Sequence, residues 1–428
     1  MKVLVVGSGG REHALAWKLS KSSLVSEIFV APGNGGTEIE ESIQNIAIDS
    51  NDIEGLSDFA KKSGIDLTIV GPEDPLVNGI TDKFQDEGLL CFGPSKDAAR
   101  LEGSKEFMKD FLLRNKIPTA SYKTFTDSKK AINYIEEQGC PIVIKADGLA
   151  AGKGVTVAFE INQAKEAVNQ SLNSKVFGDA GTKIVIEEYL EGEEASFIVL
   201  TDGNKVIPFA SSQDHKARDN GDLGPNTGGM GAYSPAVIIN KKLEKKIIER
   251  IIQPTLKALK KFKKPYKGFL YVGLMIKDNN PYLIEFNVRM GDPECQVIIP
   301  RLKSDLVKIF YNSVCNKLKQ TKIKWLSKKS LTIVLCAKGY PGNYQKTQIK
   351  SLEKIKQNRN KFIFHAGTKL INGKLISNGG RVLNFTGIGN NFLSIRNKMI
   401  ILIKKLNWKN GFFRKDIGWR VIKRNANY

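Results

Sequence analysis

The residues best suited to chemistry lie between Ile142 and Val157, Ile-Val-Ile-Lys-Ala-Asp-Gly-Leu-Ala-Ala-Gly-Lys-Gly-Val-Thr-Val. Gly148, Gly152 and Gly154 free the backbone to aim several N–H groups at one anion, and Lys145 and Lys153 supply point charges for phosphate oxygens. The β-branched runs Ile142-Val143-Ile144 and Val155-Thr156-Val157 read as strands, so the spacing predicts a hairpin with a glycine-rich tip. It is not a Walker A loop: three residues separate Gly148 from Gly152, and Gly154 stands where the metal-binding hydroxyl should be. The pattern therefore reads as a phosphate-covering flap. A bland glycine-rich hairpin is the alternative on the loop alone.

Other groupings offer oxygen ligands and polar donors. Glu285 and Asn287 stand two apart in a run that alternates as a strand, so both side chains leave one face. Such a pair suits Mg2+, which takes one or two protein oxygens and fills its shell with water and phosphate; a solvated strand face is the plainer reading. Gly221 to Tyr233, Gly-Asp-Leu-Gly-Pro-Asn-Thr-Gly-Gly-Met-Gly-Ala-Tyr, follows Ser211-Ser212-Gln213-Asp214-His215-Lys216 and reads as a substrate loop, because it lacks the composition of disorder. From Glu187 to Glu194 carboxylates crowd a strand exit, where backbone could read an adenine edge and a carboxylate could take ribose hydroxyls. The alternative there is a solvated charge run. Arg381, beside Gly379 and Gly380, reads first as an ordinary hairpin arginine and second as a phosphate contact.

These groups need scaffolds to position them. Strand patterns at Lys2 to Val6, Glu27 to Val30 and Leu67 to Val70 alternate with helical ones at Arg11 to Ser20 and Ile53 to Lys62, which predicts a parallel α/β sheet with ligands beyond its C-terminal strand ends. Gly7-Ser8-Gly9-Gly10 lies at one such end and Gly71-Pro72-Glu73 at another. The first is not a dinucleotide fingerprint, since residue 12 is Glu12 and no acidic residue closes the second strand; a single phosphate at the helix N-terminus fits better. A helix from Gly103 to Arg114 leads into a compact α+β insert carrying the hairpin, with helices at Lys129 to Glu137 and Asn162 to Leu172 and a strand at Lys183 to Glu187. A helix from Lys241 to Phe262 and strands from Gly268 and Tyr282 follow. Leu331 to Ala337, Lys361 to Thr368, Lys374 to Ser377 and a helix from Phe392 to Lys405 then suggest a separate α+β domain. The expected organisation is an α/β and α+β multidomain chain divided at 1–102, 103–325 (with a small subdomain at about 119–189) and 326–428.

The 428 residues exceed one core, and 41% hydrophobic with 26% charged residues is ordinary for a globular protein. No apolar run is long enough for a membrane span, so no membrane partner and a cytoplasmic location are expected. Five scattered cysteines without a CxxC pair argue against disulfides and thiolate metal sites, and His13, His215 and His365 are too dispersed for a zinc centre. The net charge of +22 raises the question of nucleic acid. Only 13 of the 66 basic residues are arginine and the lysines are spread along the chain, so solvated lysine faces are the better reading and no nucleic-acid partner is expected.

Taken in order, the motifs resemble those of the ATP-grasp ligases, and more closely the glycinamide ribonucleotide synthetase family. Besides the hairpin, the likeness rests on Gly-Ser-Gly-Gly-Arg-Glu-His-Ala from Gly7, Thr-Ile-Val-Gly-Pro-Glu from Thr68, Ser-Gln-Asp-His-Lys from Ser212, Gly-Pro-Asn-Thr-Gly-Gly-Met-Gly-Ala-Tyr from Gly224, Gly-Asp-Pro-Glu from Gly291 and Arg-Lys-Asp-Ile-Gly-Trp-Arg from Arg414. It covers essentially the whole chain. The resemblance implies an N-terminal parallel α/β domain, an ATP-grasp core with a lid, and a C-terminal α+β domain. It also implies a monomer that joins glycine to 5-phosphoribosylamine in purine biosynthesis, using ATP with Mg2+ or Mn2+ and passing through glycyl phosphate. On the same resemblance Lys105, Lys145, Gly148, Gly152, Lys153 and Gly154 would hold and cover the ATP phosphates, and Glu187, Leu190 and Glu193 would take adenine and ribose. Glu285 and Asn287 would hold the metal; Gly9, Gly10, Glu73, Asp214, Asn226, Thr227, Gly228 and Arg289 would bind substrates; Arg289, Asp214 and Asp292 would act in catalysis. A closing lid makes Gly152 and Gly154 residues of a mobile tip. The chain departs from the family's familiar pattern at Val288, Met290 and Cys295. Two alternatives stay open: another ATP-grasp acid–amine ligase, separated by which acid stimulates ADP formation, and a basic nucleic-acid-binding protein, separated by steeply salt-dependent affinity.

Overall fold

Runs of β-branched residues buried on both faces need cover on each side, and the first hundred residues carry such runs. In the computed structural model, which describes residues 1–150, 154–174 and 176–426, strands Gln44–Asn45, Glu27–Pro32, Lys2–Gly7, Leu67–Val70 and Cys91–Phe92 form one parallel sheet in that order. Along Lys2–Gly7 the side chains alternate, Val3 and Val5 entering one core cluster and Leu4 and Val6 another. Strand order reverses at Lys2–Gly7, so a crevice opens beyond its C-terminal end. Gly9 caps helix Gly10–Leu19 at that end, and Glu73 opens helix Glu73–Asn78 after the neighbouring strand.

The glycine hairpin forms. Ile142–Ala146 pairs antiparallel with Val155–Ala158, Lys145 opposite Val155. These strands complete an antiparallel sheet ordered Tyr122–Phe125, Ile184–Glu188, Ile142–Ala146, Val155–Ala158. Ile142, Ile144 and Ile186 pack with Ala131, Ile135 and Ala164 of helices Ser128–Gln138 and Ile161–Val168, which leaves Val143 and Lys145 on the opposite face. The helix expected to reach Leu172 ends at Val168 and continues as a wider turn, Asn169–Asn173. Gly152 and Lys153, and with them the expected mobility of the tip, lie outside the described residues. Facing this lid is a second antiparallel sheet, Val206–Pro208, Glu193–Thr201, Gly268–Lys277 and Asn280–Asn287, whose register shifts beside Gly273, the partner of Glu285.

The third sheet draws strands from two distant stretches of chain. Lys329–Ala337, Arg381–Gly389 and Lys361–His365 are extended at one edge by Gly231–Ser234 and then Gln213–Asp214. The substrate loop thus leaves and re-enters this sheet. The strand expected to run from Lys361 to Thr368 stops at His365, because the backbones of Gly367 and Gly379 meet there: a Cβ on Gly367 would lie 2.4 Å from Gly379 Cα. Thr368–Ile371 pairs instead with Lys374–Ser377. Among the described residues no helix is long and apolar enough to cross a membrane.

The parallel sheet and the third sheet meet around Gly36. His365 donates its backbone N–H to His13 Nδ1 at 2.9 Å, and Asn34 Nδ2 bridges the carbonyls of Ser8 and His365 at 2.8 and 3.0 Å. A Cβ on Gly36 would lie 2.5 Å from both His13 Cε1 and His365 Cβ. Gly36→Ala should therefore force the two sheets apart and cost about 2 kcal/mol, the usual scale of overpacking. The urea midpoint reads this loss, and an unchanged midpoint would show that the contact yields freely.

Candidate active site

Lid, facing sheet, N-terminal crevice and C-terminal sheet enclose one cavity of about 320 Å³. At one end Val143, Val157, Leu190, Met275 and Ile284 make apolar walls, and Lys105, Lys145, Gly148 and Gly154 lie at their margin. Flat apolar walls with a few polar groups suit a nucleobase. Lys145 is held by Glu187, whose two carboxylate oxygens stand 2.9 Å from Lys145 Nζ and 3.0 Å from Lys109 Nζ. Glu187, expected at adenine or ribose, therefore spends its carboxylate on lysines, and Tyr189 and Leu190 are left to line the apolar slot. Burial pulls the Lys109 ammonium down to about 8, with Lys145 adding to the shift and Glu187 opposing it. Glu193 does not line the cavity. Strand alternation sends Glu194 inward and Glu193 outward, where it binds Arg424 and accepts from Gln213 Nε2 at 2.8 Å.

The middle of the cavity is rich in carboxylates. Glu285, Asn287, Asp214, Glu194 and Glu294 line it, with Lys216 Nζ 3.4 Å from both Glu194 and Glu285. Burial works against the Glu285 charge, but Lys216, Lys105 and Lys145 hold its carboxyl at about 2. Asp214 goes the other way: burial and Glu294 push its carboxyl up, against the pull of Lys216. Among the described residues no three His, Cys, Asp or Glu side chains form a ready-made metal cage. Glu285 and Asn287 offer the hard oxygens that Mg2+ or Mn2+ takes when phosphates complete the shell, and the surplus of carboxylates over lysine favours a cation.

Arginines and carboxylates fill the far end. Arg289 Nε donates to Glu73 Oε2 at 3.1 Å and Nη2 approaches Glu102 Oε1 at 2.6 Å, while Arg11 stands 3.9 Å from Glu73. Burial opposes the Glu73 charge, yet Arg289 and Arg11 bring its carboxyl to about 2. Asp292 accepts from Arg11 N–H at 3.3 Å and faces Arg381 Nη1 at 3.3 Å; despite burial, Arg381 and Arg11 hold it below the usual carboxylate range. The helix N-terminus expected to hold a phosphate thus receives carboxylates of the chain itself, since Gly9 N–H also donates to Glu12 at 2.5 Å. Gly9 and Gly10 are absent from the cavity wall. A Cβ on Gly9 would still lie 3.3 Å from Asp292 Oδ2, whereas Gly10 is packed on the third sheet, 2.3 Å between its Cβ position and Asn384 Nδ2.

The substrate loop delivers Asn226, Thr227 and Gly228 to the same wall. Thr227 is fixed through its N–H and hydroxyl, both bonded to the Lys216 carbonyl at 2.8 Å, and Gly228 N–H donates to Tyr340 Oη at 3.0 Å. Arg381 is no ordinary hairpin arginine: it crosses from the third sheet to the carbonyls of Gly228 and Asp292, the latter at 2.7 Å. Val288, Met290 and Cys295, the departures noted above, are all buried away from the wall. Sequence reading missed Lys109, Lys216, Glu194, Glu102 and Arg11. Two carried a signal, since Lys109 is one helical turn from Lys105 and Lys216 two extended residues from Asp214.

Models of the phosphoribosylglycinamide synthetase N domain, ATP-grasp (A) domain and C domain match residues 1–102, 103–295 and 330–420. The phosphoribosylamine–glycine ligase of Escherichia coli K12 is 52% identical over 100% of both chains. The crystal structure of the phosphoribosylamine–glycine ligase of Thermotoga maritima superposes with a TM-score of 0.81 and 32% identity over 97% of this chain and 100% of that one. Biotin carboxylase from Campylobacter jejuni, in its β-γ-ATP complex, shares the fold at 16% identity, with a TM-score of 0.72 over 100% of this chain and 97% of the other.

A carboxyl lowered from 4.5 to about 2, as in Glu73, contributes about 3 kcal/mol above its unfolded-state value and loses it as pH falls toward the folded one. Glu73→Gln should cost that much at pH 7, and the gap to the unsubstituted protein should narrow by about 1 kcal/mol at pH 3.5. Denaturant titrations at the two pH values measure it; a gap independent of pH would remove Glu73 from the ion-pair network.

Proposed function

We propose, for a chain that belongs to the phosphoribosylglycinamide synthetase family, that this cavity joins glycine to 5-phosphoribosylamine at the expense of ATP, giving glycinamide ribonucleotide, ADP and phosphate in purine biosynthesis. The observation that carries the reading is the convergence of phosphate-type lysines, an oxygen pair for a cation and an arginine–carboxylate end on one cavity. The proposed working unit is a monomer.

One glycine carboxylate oxygen attacks the γ-phosphorus and ADP leaves, forming glycyl phosphate. The amine of 5-phosphoribosylamine then attacks the acyl carbon, phosphate leaves and the amine gives up a proton. Lys105 and Lys145 neutralise the phosphates, and Gly148 and Gly154 let the lid backbone approach them. Gly152 and Lys153, outside the described residues, are assigned to the same phosphates on the family resemblance alone. Leu190 and the backbone near Glu187 take adenine; Glu193 acts through its neighbours, its carboxylate being engaged. A divalent cation, Mg2+ or Mn2+, held by Glu285 and Asn287 would screen the charge that develops during phosphoryl transfer.

Arg289, flanked by Glu73, suits the acyl phosphate, and Asn226, Thr227 and Gly228 offer hydrogen-bonding groups to the acceptor, with Gly9 and Gly10 shaping the crevice beyond. Asp214, whose carboxyl is pushed up by burial, is the better proton acceptor; Asp292, held down despite burial by Arg381 and Arg11, stays a carboxylate suited to an ammonium. An acyl phosphate hydrolyses in water, so closing the lid protects it.

ADP release should require both glycine and 5-phosphoribosylamine. Turnover with either omitted would exclude this pair of substrates. Glu285→Ala should lower kcat on the order of 10²-fold or more, the scale of losing one group that stabilises transferring charge, and weaken binding of Mg-ATP; an unchanged rate would remove the metal assignment.

A further inference from the structure

Arg414–Arg420 does not line the cavity and has no part in the chemistry above, yet it is bonded to the substrate loop along most of its length. Arg414 is 1% exposed, and four of its five guanidinium N–H groups are bonded. Nε and Nη2 donate to Asp416 at 2.9 and 2.8 Å, and Nη1 donates to Asp222 Oδ1 at 2.9 Å and to the Ala217 carbonyl at 3.0 Å. Backbone groups interlock with the same loop: Lys415 N–H donates to Asn220 Oδ1 at 2.9 Å and Gly221 N–H to Asp416 Oδ2 at 2.8 Å. Asp222 Oδ2 accepts further from Trp419 Nε1 at 3.1 Å and Arg420 Nη2 at 2.6 Å. Taking a guanidinium out of water is costly, so such a network is weak evidence for stability; what it fixes is geometry.

The geometry concerned is that of the cavity wall. Asp214 and Lys216 point into the cavity, so alternation turns His215 the other way, where its Nε2 accepts the Gly418 N–H at 3.0 Å. Burial, helped by the Arg414 charge, holds His215 at about 4, so the ring stays neutral and able to accept. After Lys216 the hairpin Ala217–Asp219 and Leu223–Asn226 projects away, with Leu223 exposed at its tip, and returns the chain to Thr227. Arg414–Arg420 is a clasp on this hairpin. The same C-terminal helix, Trp419–Ala426, reaches Glu193 through Arg424, and Glu193 accepts from Gln213, next to Asp214.

We propose that Arg414, acting through Asp222 and Asp416, is a positioning residue: it holds the hairpin so that Asp214, Lys216 and Thr227 stand in place before substrate arrives. The role in turnover rests on the ligase reading; the ordering of the loop does not. Arg414→Lys keeps the charge but cannot span both aspartates, and Asp222→Asn removes one anchor while keeping its shape. Both variants should raise KM for glycine or 5-phosphoribosylamine at least tenfold while KM for ATP changes less than twofold. In the substrate-free protein, amides of 215–228 should exchange at least tenfold faster in either variant, with exchange in Ile142–Ala146 and Ile184–Glu188 unchanged. Asp222→Asn decides the matter if Arg414→Lys does not fold. Unchanged exchange in 215–228, or equal acceleration in the lid strands and an equal rise in KM for ATP, would overturn the proposal. Absence of ADP formation by the unsubstituted protein with both substrates would instead overturn the ligase reading, and the exchange data would still decide the clasp.

Discussion

Arg289 is a largely buried guanidinium clamped between Glu73, at the start of helix Glu73–Asn78, and Glu102 of the helix Lys96–Gly103. Desolvating that charge costs several kcal/mol, and the cost is offset only while both carboxylates stay in reach. The parts of the chain that carry them are therefore fixed relative to the strand that ends in Asn287. Arg11 stands behind Glu73, and Asp292, three residues after Arg289, is taken by Arg381 of the third sheet. Shared apolar clusters join the three sheets, and the charge pairs across the cavity fix how its walls stand relative to one another.

The lid end and the middle of the cavity differ in charge. Lys105, Lys145 and the Lys109–Glu187 support favour anions at the lid, while Glu194, Glu285, Asp214 and Glu294 outnumber Lys216 in the middle. Burial first, and then repulsion from Glu294, pushes the Asp214 carboxyl up. A cation relieves that repulsion and phosphates satisfy the lysines, so the lid end and the middle together are complementary to a metal–nucleotide complex. On the proposed reaction, the groups that neutralise the charge developing on the departing ADP are already oriented for it.

Much of this was legible in the residues. Short apolar, β-branched runs located the strands of the parallel sheet and of the glycine hairpin, and their alternation with helical patterns made the first sheet parallel, since both signals are local. Alternation also placed Glu285 and Asn287 on one wall. What could not be read was which carboxylates had partners: Glu187 and Glu193 belong to one strand-exit segment, yet the first meets two lysines and the second an arginine more than 200 positions away. Arg381 looked like a turn residue because its targets, Gly228 and Asp292, are distant in the chain. Nor does composition reveal that the substrate loop contributes two strands to the third sheet, a long-range pairing that fixes the loop at both ends.

The most direct measurement is anomalous diffraction from crystals grown with Mn2+ and a non-hydrolysable ATP analogue. The predicted map has its manganese peak within coordinating distance of Glu285, Asn287 and analogue phosphate oxygens, with other oxygens of the same phosphates on Lys105 and Lys145. Phosphates bound away from those lysines, or a nucleotide-associated manganese peak remote from Glu285, would contradict the assignment of this cavity.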